Sequence, residues 1–449
     1  MKIAAIVLAA GQGTRMKSNL PKVLHPLAGQ PMIQYVIDAV HTVINEPPVV
    51  VVGYGAELVK QAVGSGVRYA LQDKQLGTAH AVKTVRPLLE GHADLVLVLN
   101  GDMPLLTPAT IEKLIVAQRG NKGTITMLTV IAEDPRGFGR VLRGSDGMVQ
   151  AIIEEAHATP EQLKVRELNV SAYCITANWL WTTLDRIQVS PKGEYYLTDL
   201  VALSNAEGLP VQALVIENPT EAVGINNRIH LAEADALMRQ RINASLMLSG
   251  VTLIDPDSTY IGPGVQIGRD TTIMPNTYLR GKTVIGENCV IGPNTIIEDT
   301  QVGNECTILA SVLEGSIVED NVSMGPFCHL RKGAHLGKGV HLGNFGEVKD
   351  SYLAPGVKMG HFSYIGNATI GENVNIGAGT ITCNYDGVRK NSTEIGANAF
   401  IGSDTMLVAP VKIGEGSKTG AGAVVTRDVP PGTVVVGVPA RPLRKENSG

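Results

Sequence analysis

Residues 261–297 read IGPGVQIGRDTTIMPNTYLRGKTVIGENCVIGPNTII. Ile261, Ile267, Ile273, Leu279, Ile285, Ile291 and Ile297 recur there at every sixth position, and several are followed directly by glycine. Six is neither a helical nor a hairpin period. The pattern predicts a parallel β-helix in which each six-residue piece is one short strand and a corner, the aliphatic residue points inward, and glycine or small residues permit the corner. Three pieces would complete a coil of about 18 residues, with coils stacked about 4.8 Å apart. The rhythm returns at Ile395, Ile401, Leu407, Ile413, Thr419 and Val425, and persists with slips through Leu336, Leu342, Met359, Ile365, Ile370 and Ile376. Periodicity alone would favour a right-handed winding, the usual hand of parallel crossovers.

Upstream the grammar changes. Leu231, Met238, Ile242 and Leu246 fall near helical spacing among charged residues, with Gly250 just beyond, which predicts a connecting helix over 227–249. Residues 1–226 alternate short apolar runs (Ile3 to Leu8, Pro48 to Val52, Asp94 to Leu99) with amphipathic stretches, the pattern of a mostly parallel α/β sheet of Rossmann-like type. The expected organisation is an α/β domain over 1–226, a linker helix, and a β-helix with a tail over 250–449. With 38 basic and 42 acidic residues there is no global field to attract nucleic acid, and the one basic cluster, Arg441-Pro442-Leu443-Arg444-Lys445, reads as a solvated tail. Cys174, Cys289, Cys306, Cys328 and Cys383 form no CxxC pair and are odd in number, which argues for a reducing, cytoplasmic setting. No apolar run approaches the roughly 20 residues of a membrane span. The opening run Ile3 to Ala10 is short and passes straight into Gly11-Gln12-Gly13-Thr14-Arg15, as a first buried strand does.

At the carboxyl end of that strand, Leu8-Ala9-Ala10-Gly11-Gln12-Gly13-Thr14-Arg15-Met16 can present successive backbone N–H groups to phosphates, with Arg15 and Lys22 adding fixed positive charge. A Walker A loop, GxxxxGK[ST], is absent. Asp102 follows an apolar run in Asn100-Gly101-Asp102-Met103-Pro104, so its carboxylate should emerge at the ligand end of the sheet, although an Asp beside Gly and Pro is also a common turn former. The string LAAGxGTRM followed by Pro21-Lys22 resembles the signature of sugar-1-phosphate nucleotidyltransferases. That resemblance implies phosphate contacts from Leu8, Ala9, Ala10 and Gly11, and a uracil-reading segment at Gln72 and Gln75-Leu76-Gly77-Thr78. It further implies a Mg²⁺ site at Asp102 and Asn226, and sugar contacts from Gly139, Glu154 and Asn169.

In the repeat, polar groups appear that its architecture does not require: Leu330-Arg331-Lys332-Gly333, Gly343 to Lys349, Gly360-His361-Phe362-Ser363-Tyr364, and Asn375 to Thr380. A loop, Thr382-Cys383-Asn384-Tyr385-Asp386-Gly387, interrupts the rhythm before Ile395 restores it, and interruptions of a repeat are where sites tend to be. The Ile-Gly-x-x-x-x repeats resemble the hexapeptide acyltransferases, whose β-helices are left-handed. Together with the N-terminal motifs, the chain resembles over nearly its whole length the bifunctional N-acetylglucosamine-1-phosphate uridylyltransferase/glucosamine-1-phosphate acetyltransferases.

That resemblance implies UDP-N-acetylglucosamine synthesis from UTP, acetyl-CoA and glucosamine 1-phosphate, through N-acetylglucosamine 1-phosphate, by a homotrimer. It makes His361 the general base for acetyl transfer, a task suited to neutral imidazole near pH 7. Glu347 would orient His361, while Arg331, Lys349, Tyr364, Asn375 and Asn384 would hold the sugar phosphate and hydroxyls. Tyr385, Ser403 and Ala421, with Asn384 beside them, belong to the acetyl-CoA end. Some relatives place an Arg where this chain has Gly437, and Arg441 is the substitute candidate for the CoA phosphates. Two other readings stay open on the residues alone: a single-activity ADP- or dTDP-sugar pyrophosphorylase with a regulatory β-helix, and a non-catalytic assembly subunit sharing both folds. The Gly360-His361 and Cys383-Asn384-Tyr385 segments count against the first, and Arg15, Lys22, Asp102 and Asn226 against the second.

Overall fold

The computed structural model describes residues 1–443, so Arg444 and Lys445 of the basic cluster lie outside the described residues. Two compact units emerge, Met1–Met238 and a second from Arg239 onward. In the first, apolar runs form the parallel strands β1 (Ile3–Ala9), β2 (Val49–Val52), β3 (Arg68–Leu71) and β4 (Leu95–Asn100). They continue into β5 (Ile125–Ile131), β6 (Arg140–Arg143), β7 (Val149–Ile153), β8 (Glu167–Thr176) and β9 (Val211–Val215).

The sheet order is β9-β5-β8-β4-β1-β2-β3, with β8 antiparallel to both neighbours and the β6–β7 hairpin attached through β8. Alternate residues of β1 feed two cores, Ala5, Val7 and Ala9 on one face and Ala4 and Ile6 on the other, so helices cover the sheet on both sides. The helices Met32–Val43 and Pro108–Gly120 pack on the first face, and Thr78–Thr84 and Ala177–Thr183 on the second. Because β2 and β4 flank β1, the order reverses there, and a crevice opens beyond the carboxyl ends of β1 and β4.

The helix Arg228–Leu248 crosses the boundary between units, and within the second unit its Ile242 and Leu246 pack against the repeat core. Asn243 is buried there and donates to the carbonyls of Pro256 (2.9 Å) and Thr259 (3.2 Å). The repeat then winds into three sheets of 12, 10 and 9 short strands, parallel except for the last strand of the first. Ile261, Leu279 and Ile297 stand in register on one side, Ile273, Ile291 and Ile308 on another, Ile267, Ile285 and Val302 on the third. Stacked inward, they form one continuous core.

Some corners are turned by glycine as expected, Gly281 and Gly292 having φ of 62° and 97°. Asn276, Asn288 and Asn294 take the left-handed backbone at others, with φ of 57°, 57° and 54°, whereas Gly268, Gly286 and Gly303 do not. Those glycines are needed for stacking instead. A Cβ on Gly268 would lie 2.6 Å from Gly286 C, and one on Gly286 2.6 Å from Gly303 O. Buried threonines accompany the aliphatics two positions ahead, and most of their hydroxyls are satisfied locally, as where Thr271 donates to Gly286 O at 2.8 Å and Thr277 to Met274 O at 2.8 Å, although Thr393 Oγ1 has no partner. The winding ends where Arg441–Pro442 turns back antiparallel on Val434–Val436, with Ala440 packed at the core. All five cysteines are free, and among the described residues no helix is long and apolar enough to cross a membrane.

Candidate functional site

The chain leaves β1 at Ala9 and turns through Gly13, whose φ is 65°. A Cβ on Gly13 would lie 2.5 Å from Lys22 Cβ, so only glycine lets the loop close on Lys22. Arg15 and Lys22 thereby reach a cleft of about 500 Å³ beyond the sheet, lined also by Leu8, Ala9, Ala10, Gly11, Gln72, Gly77, Thr78, Asp102 and Glu154. Lys22 is ion-paired with Asp102, and its ammonium lies 3.3 Å from Asn226 Oδ1, which also accepts from Arg15 Nη2 at 2.9 Å. An ammonium thus stands between a carboxylate and an amide oxygen, a donor pair of the hard-oxygen kind. Among the described residues there is no cluster of three or more His, Cys, Asp or Glu placed to hold a metal. Two protein oxygens nevertheless fit Mg²⁺, which commonly takes one or two and completes its shell with phosphate and water.

The remaining N-terminal residues flank this cluster. Burial pushes the Glu154 carboxyl above its ordinary range, while Thr198, donating to Glu154 Oε1 at 3.0 Å, pulls the other way. Gly139 stands behind it, since a Cβ there would lie 2.9 Å from Ile152 Cγ2 and 3.8 Å from Glu154 Oε2. Asn169 is buried, and its Nδ2 donates to Tyr173 Oη (2.7 Å) and Ser171 Oγ (3.2 Å), so it braces two residues that line the cleft and is not itself in the lining. Ser171, Tyr173, Tyr196 and Thr198 are wall residues that the sequence reading missed; no motif marks them.

In the second unit the polar residues fall on two rows bordering the 10-stranded sheet. Arg331 and Lys349 lie at one edge, with Glu347 and Tyr364 in register on the sheet itself. Arg331 Nη1 donates to Glu347 Oε1 at 3.0 Å. Lys390, from the interrupting loop, bears directly on Lys349, and it and Arg331 hold the Lys349 ammonium below the usual lysine range. Its only trace in the sequence is membership of that loop. Asn384, buried, donates to Asn367 Oδ1 at 2.8 Å. Over Gly366 the chain makes room for two polar tips, because a Cβ there would lie 2.4 Å from Tyr364 Oη and 2.7 Å from Asn384 Nδ2. The loop is braced by Asp386, which accepts from Val388 N (2.9 Å), Arg389 N (2.8 Å) and Asn391 Nδ2 (2.9 Å); these bonds hold its carboxyl down at about 2. Tyr385 projects from it, 62% exposed.

His361, Ser403 and Ala421 share the opposite corner, where the 12-stranded sheet passes into the 10-stranded one. Ser403 O accepts from Gly422 N at 2.8 Å, which stacks the last two, and Asn375 lies on the strand leading to the same corner. His361 Nδ1 lies 3.3 Å from Asn344 Oδ1, so the ring's partner in the chain is Asn344, while Glu347 faces Arg331. Arg441 is exposed on the final antiparallel strand, its guanidinium donating to Ala440 O at 2.9 Å.

Comparison with known proteins bears on both units. Residues 5–165 match the MobA-like NTP transferase domain, and residues 264–299 and 392–427 match the bacterial transferase hexapeptide family, whose left-handed β-helix is the fold class of the stacked repeat. The chain is 47% identical over 438 residues to the bifunctional protein GlmU of Pelobacter propionicus, covering 97% of this chain and 95% of the relative. It is 47% identical over 436 residues to that of Heliobacterium modesticaldum (97% and 95%) and 46% identical over 448 residues to that of Geobacillus thermodenitrificans (100% and 97%). With the likeness running through both units, the chain belongs to the bifunctional GlmU family.

Proposed function

We propose that the chain makes UDP-N-acetylglucosamine, acetylating glucosamine 1-phosphate with acetyl-CoA in the β-helix and then transferring uridylyl from UTP to N-acetylglucosamine 1-phosphate in the α/β unit. The observation that carries this reading is that one chain holds two separate cation clusters suited to phosphate, Arg15 with Lys22 and Arg331 with Lys349 and Lys390. In the α/β cleft an oxygen of the sugar phosphate attacks the α-phosphorus of UTP in line; the new P–O bond forms as the bond to pyrophosphate breaks. Arg15, Lys22 and the backbone N–H groups of Leu8 to Gly11 offset the developing charge. Held by Asp102 and Asn226, Mg²⁺ would add charge neutralisation at the phosphate oxygens. Lys22 then turns from Asp102 to the phosphates. Gln72, Gly77 and Thr78 meet the uracil, and Gly139, Glu154 and Asn169 form or brace the sugar pocket.

In the β-helix the amide oxygen of Asn344 accepts from Nδ1 of His361, which leaves Nε2 with the lone pair. Nε2 takes a proton as the substrate amine attacks the thioester carbonyl, and the C–S bond breaks to release CoA. Arg331, Lys349, Tyr364 and Asn375 hold glucosamine 1-phosphate; Asn384, Tyr385, Ser403, Ala421 and Arg441 receive acetyl-CoA; Glu347 orients Arg331. Because His361 and the Arg331 cluster border opposite edges of one sheet, a complete site is best made where faces of separate chains meet, which supports a homotrimer. The five free cysteines support a cytoplasmic setting. The test is product analysis with glucosamine 1-phosphate, acetyl-CoA, UTP and Mg²⁺, omitting one component at a time. N-acetylglucosamine 1-phosphate should accumulate when UTP is left out. No acetylated product under that condition would reduce the chain to a single-activity transferase.

A further inference from the structure

We infer that His80 is a positioning residue that turns the oxygen of the Gln72 amide toward the pyrimidine ring, so that a uridine nucleotide is distinguished from a cytidine nucleotide; this rests on the reading above that Gln72 meets the base. Gln72 is 3% exposed and lines the nucleotide cleft. Its Nε2 lies 3.1 Å from Gly77 O and 3.0 Å from His80 Nδ1. A carbonyl only accepts, so the amide atom facing Gly77 is the nitrogen, whichever way the amide is first drawn. That nitrogen has two hydrogens. The second goes to Nδ1 of His80, which must therefore carry a lone pair, with the ring proton on Nε2. The remaining amide atom, Oε1, is what Gln72 has left for the base.

Both partners are held in place. Gly77 has φ +100°, and a Cβ on it would lie 2.5 Å from Tyr195 O and 2.7 Å from Tyr195 N, so its peptide is pressed against that backbone. Tyr195 N donates to Leu76 O at 2.8 Å, and Ala79 N donates to Tyr195 O at 3.0 Å, which clamps both sides of Gly77. His80 rides on the helix Thr78–Thr84 that begins there. It also lines a second cavity of about 590 Å³, beside Lys83 and Asp185, with room for water to accept from Nε2–H. The chemistry then discriminates by itself. Uracil presents a donor at N3, which an amide oxygen accepts, whereas cytosine presents a bare N3 that meets the same oxygen lone pair to lone pair. Without an acceptor at the Nδ1 position, the amide has one bond fewer holding its orientation and can present nitrogen instead.

The experiment measures kcat/KM for UTP and for CTP with N-acetylglucosamine 1-phosphate. His80→Leu should lower the UTP:CTP ratio about tenfold or more. His80→Asn places Oδ1 where Nδ1 was and should restore the ratio to within about threefold, a rescue that a merely space-filling histidine would not show. A parent ratio in folded His80→Leu, or a loss in His80→Asn equal to that in His80→Leu, would overturn the inference. If His80→Leu does not fold, ¹⁵N-histidine spectra of the parent decide: Nδ1 of His80 unprotonated at neutral pH supports it, and Nδ1 protonated overturns it. Gln72→Ala in the same assay separates the two layers. A parent ratio there overturns the reading of Gln72 as the base reader, whereas a lowered ratio with an unchanged His80→Leu overturns the positioning inference alone.

Discussion

Lys22 bridges Asp102 and Asn226 at the point where a small cation would be held, so removing the carboxylate should disturb one chemistry and not the other. Asp102→Ala is expected to reduce uridylyl transfer by about 100-fold or more, assayed at limiting Mg²⁺, with acetyl transfer unchanged. The converse holds at His361. His361→Ala should cost acetyl transfer about 10² to 10⁴-fold while uridylyl transfer from preformed N-acetylglucosamine 1-phosphate persists, and the residual rate should rise with pH as the amine loses its proton to solvent. Glu154 gives a third outcome, in stability. Its carboxyl is raised by burial above the ordinary 4.5, so the folded state binds the proton more tightly. That contribution is fully present below pH 4.5 and is lost as the pH rises through the raised value. Glu154→Gln mimics the protonated form and still accepts from Thr198; its thermal midpoint should exceed the parent's at pH 7 and match it in acid, at the expense of sugar binding.

Among the elements, the corners of the prism show best what a sequence discloses. The six-residue period disclosed the strands, their inward residues and the order of coils, because each is a property of one stretch of chain. It did not separate two kinds of glycine. Gly281 and Gly292 take the left-handed backbone that a corner needs, whereas Gly268, Gly286 and Gly303 face the backbone of the next coil, about 18 residues on. Gly286→Ala, whose Cβ would meet Gly303 O at 2.6 Å, should therefore destabilise the β-helix by about 1–3 kcal/mol in thermal unfolding while uridylyl transfer is unchanged. The same limit explains the sites. The loop carrying Arg15 and Lys22 was legible as a contiguous motif, and so was the segment around His361. Tyr173, Thr198 and Lys390 reach their places from distant parts of the chain, and Asn344 meets His361 only because successive coils align.

For the molecule as a whole, a row of exposed aromatics bears on the proposed assembly. Phe327 and Phe345 are 60% and 56% exposed, with ring centroids 5.4 Å apart, and Phe362, 58% exposed, comes next along the same corner. Such a row on a prism edge suits burial against another chain. The full chain is expected to sediment as a trimer and a fragment of residues 1–238 as a monomer; a trimeric fragment would place the assembly surface elsewhere. The cut falls at 238 because Arg228, Glu233 and Asp235 are bonded into the first unit, to Met16, Arg136 and Ala28. Finally, the short antiparallel return of Arg441–Pro442 has a bearing on solubility. A stack of parallel coils has no intrinsic length, and its last rung would offer open N–H and C=O groups on which a second molecule could continue the winding. At one end the helix with Ile242 and Leu246 sits on the core; at the other the strand reverses and carries a proline, which has no N–H to extend the ladder. On the 12-stranded sheet those few residues replace a free parallel edge, the kind of edge on which one stack of coils could be continued by another.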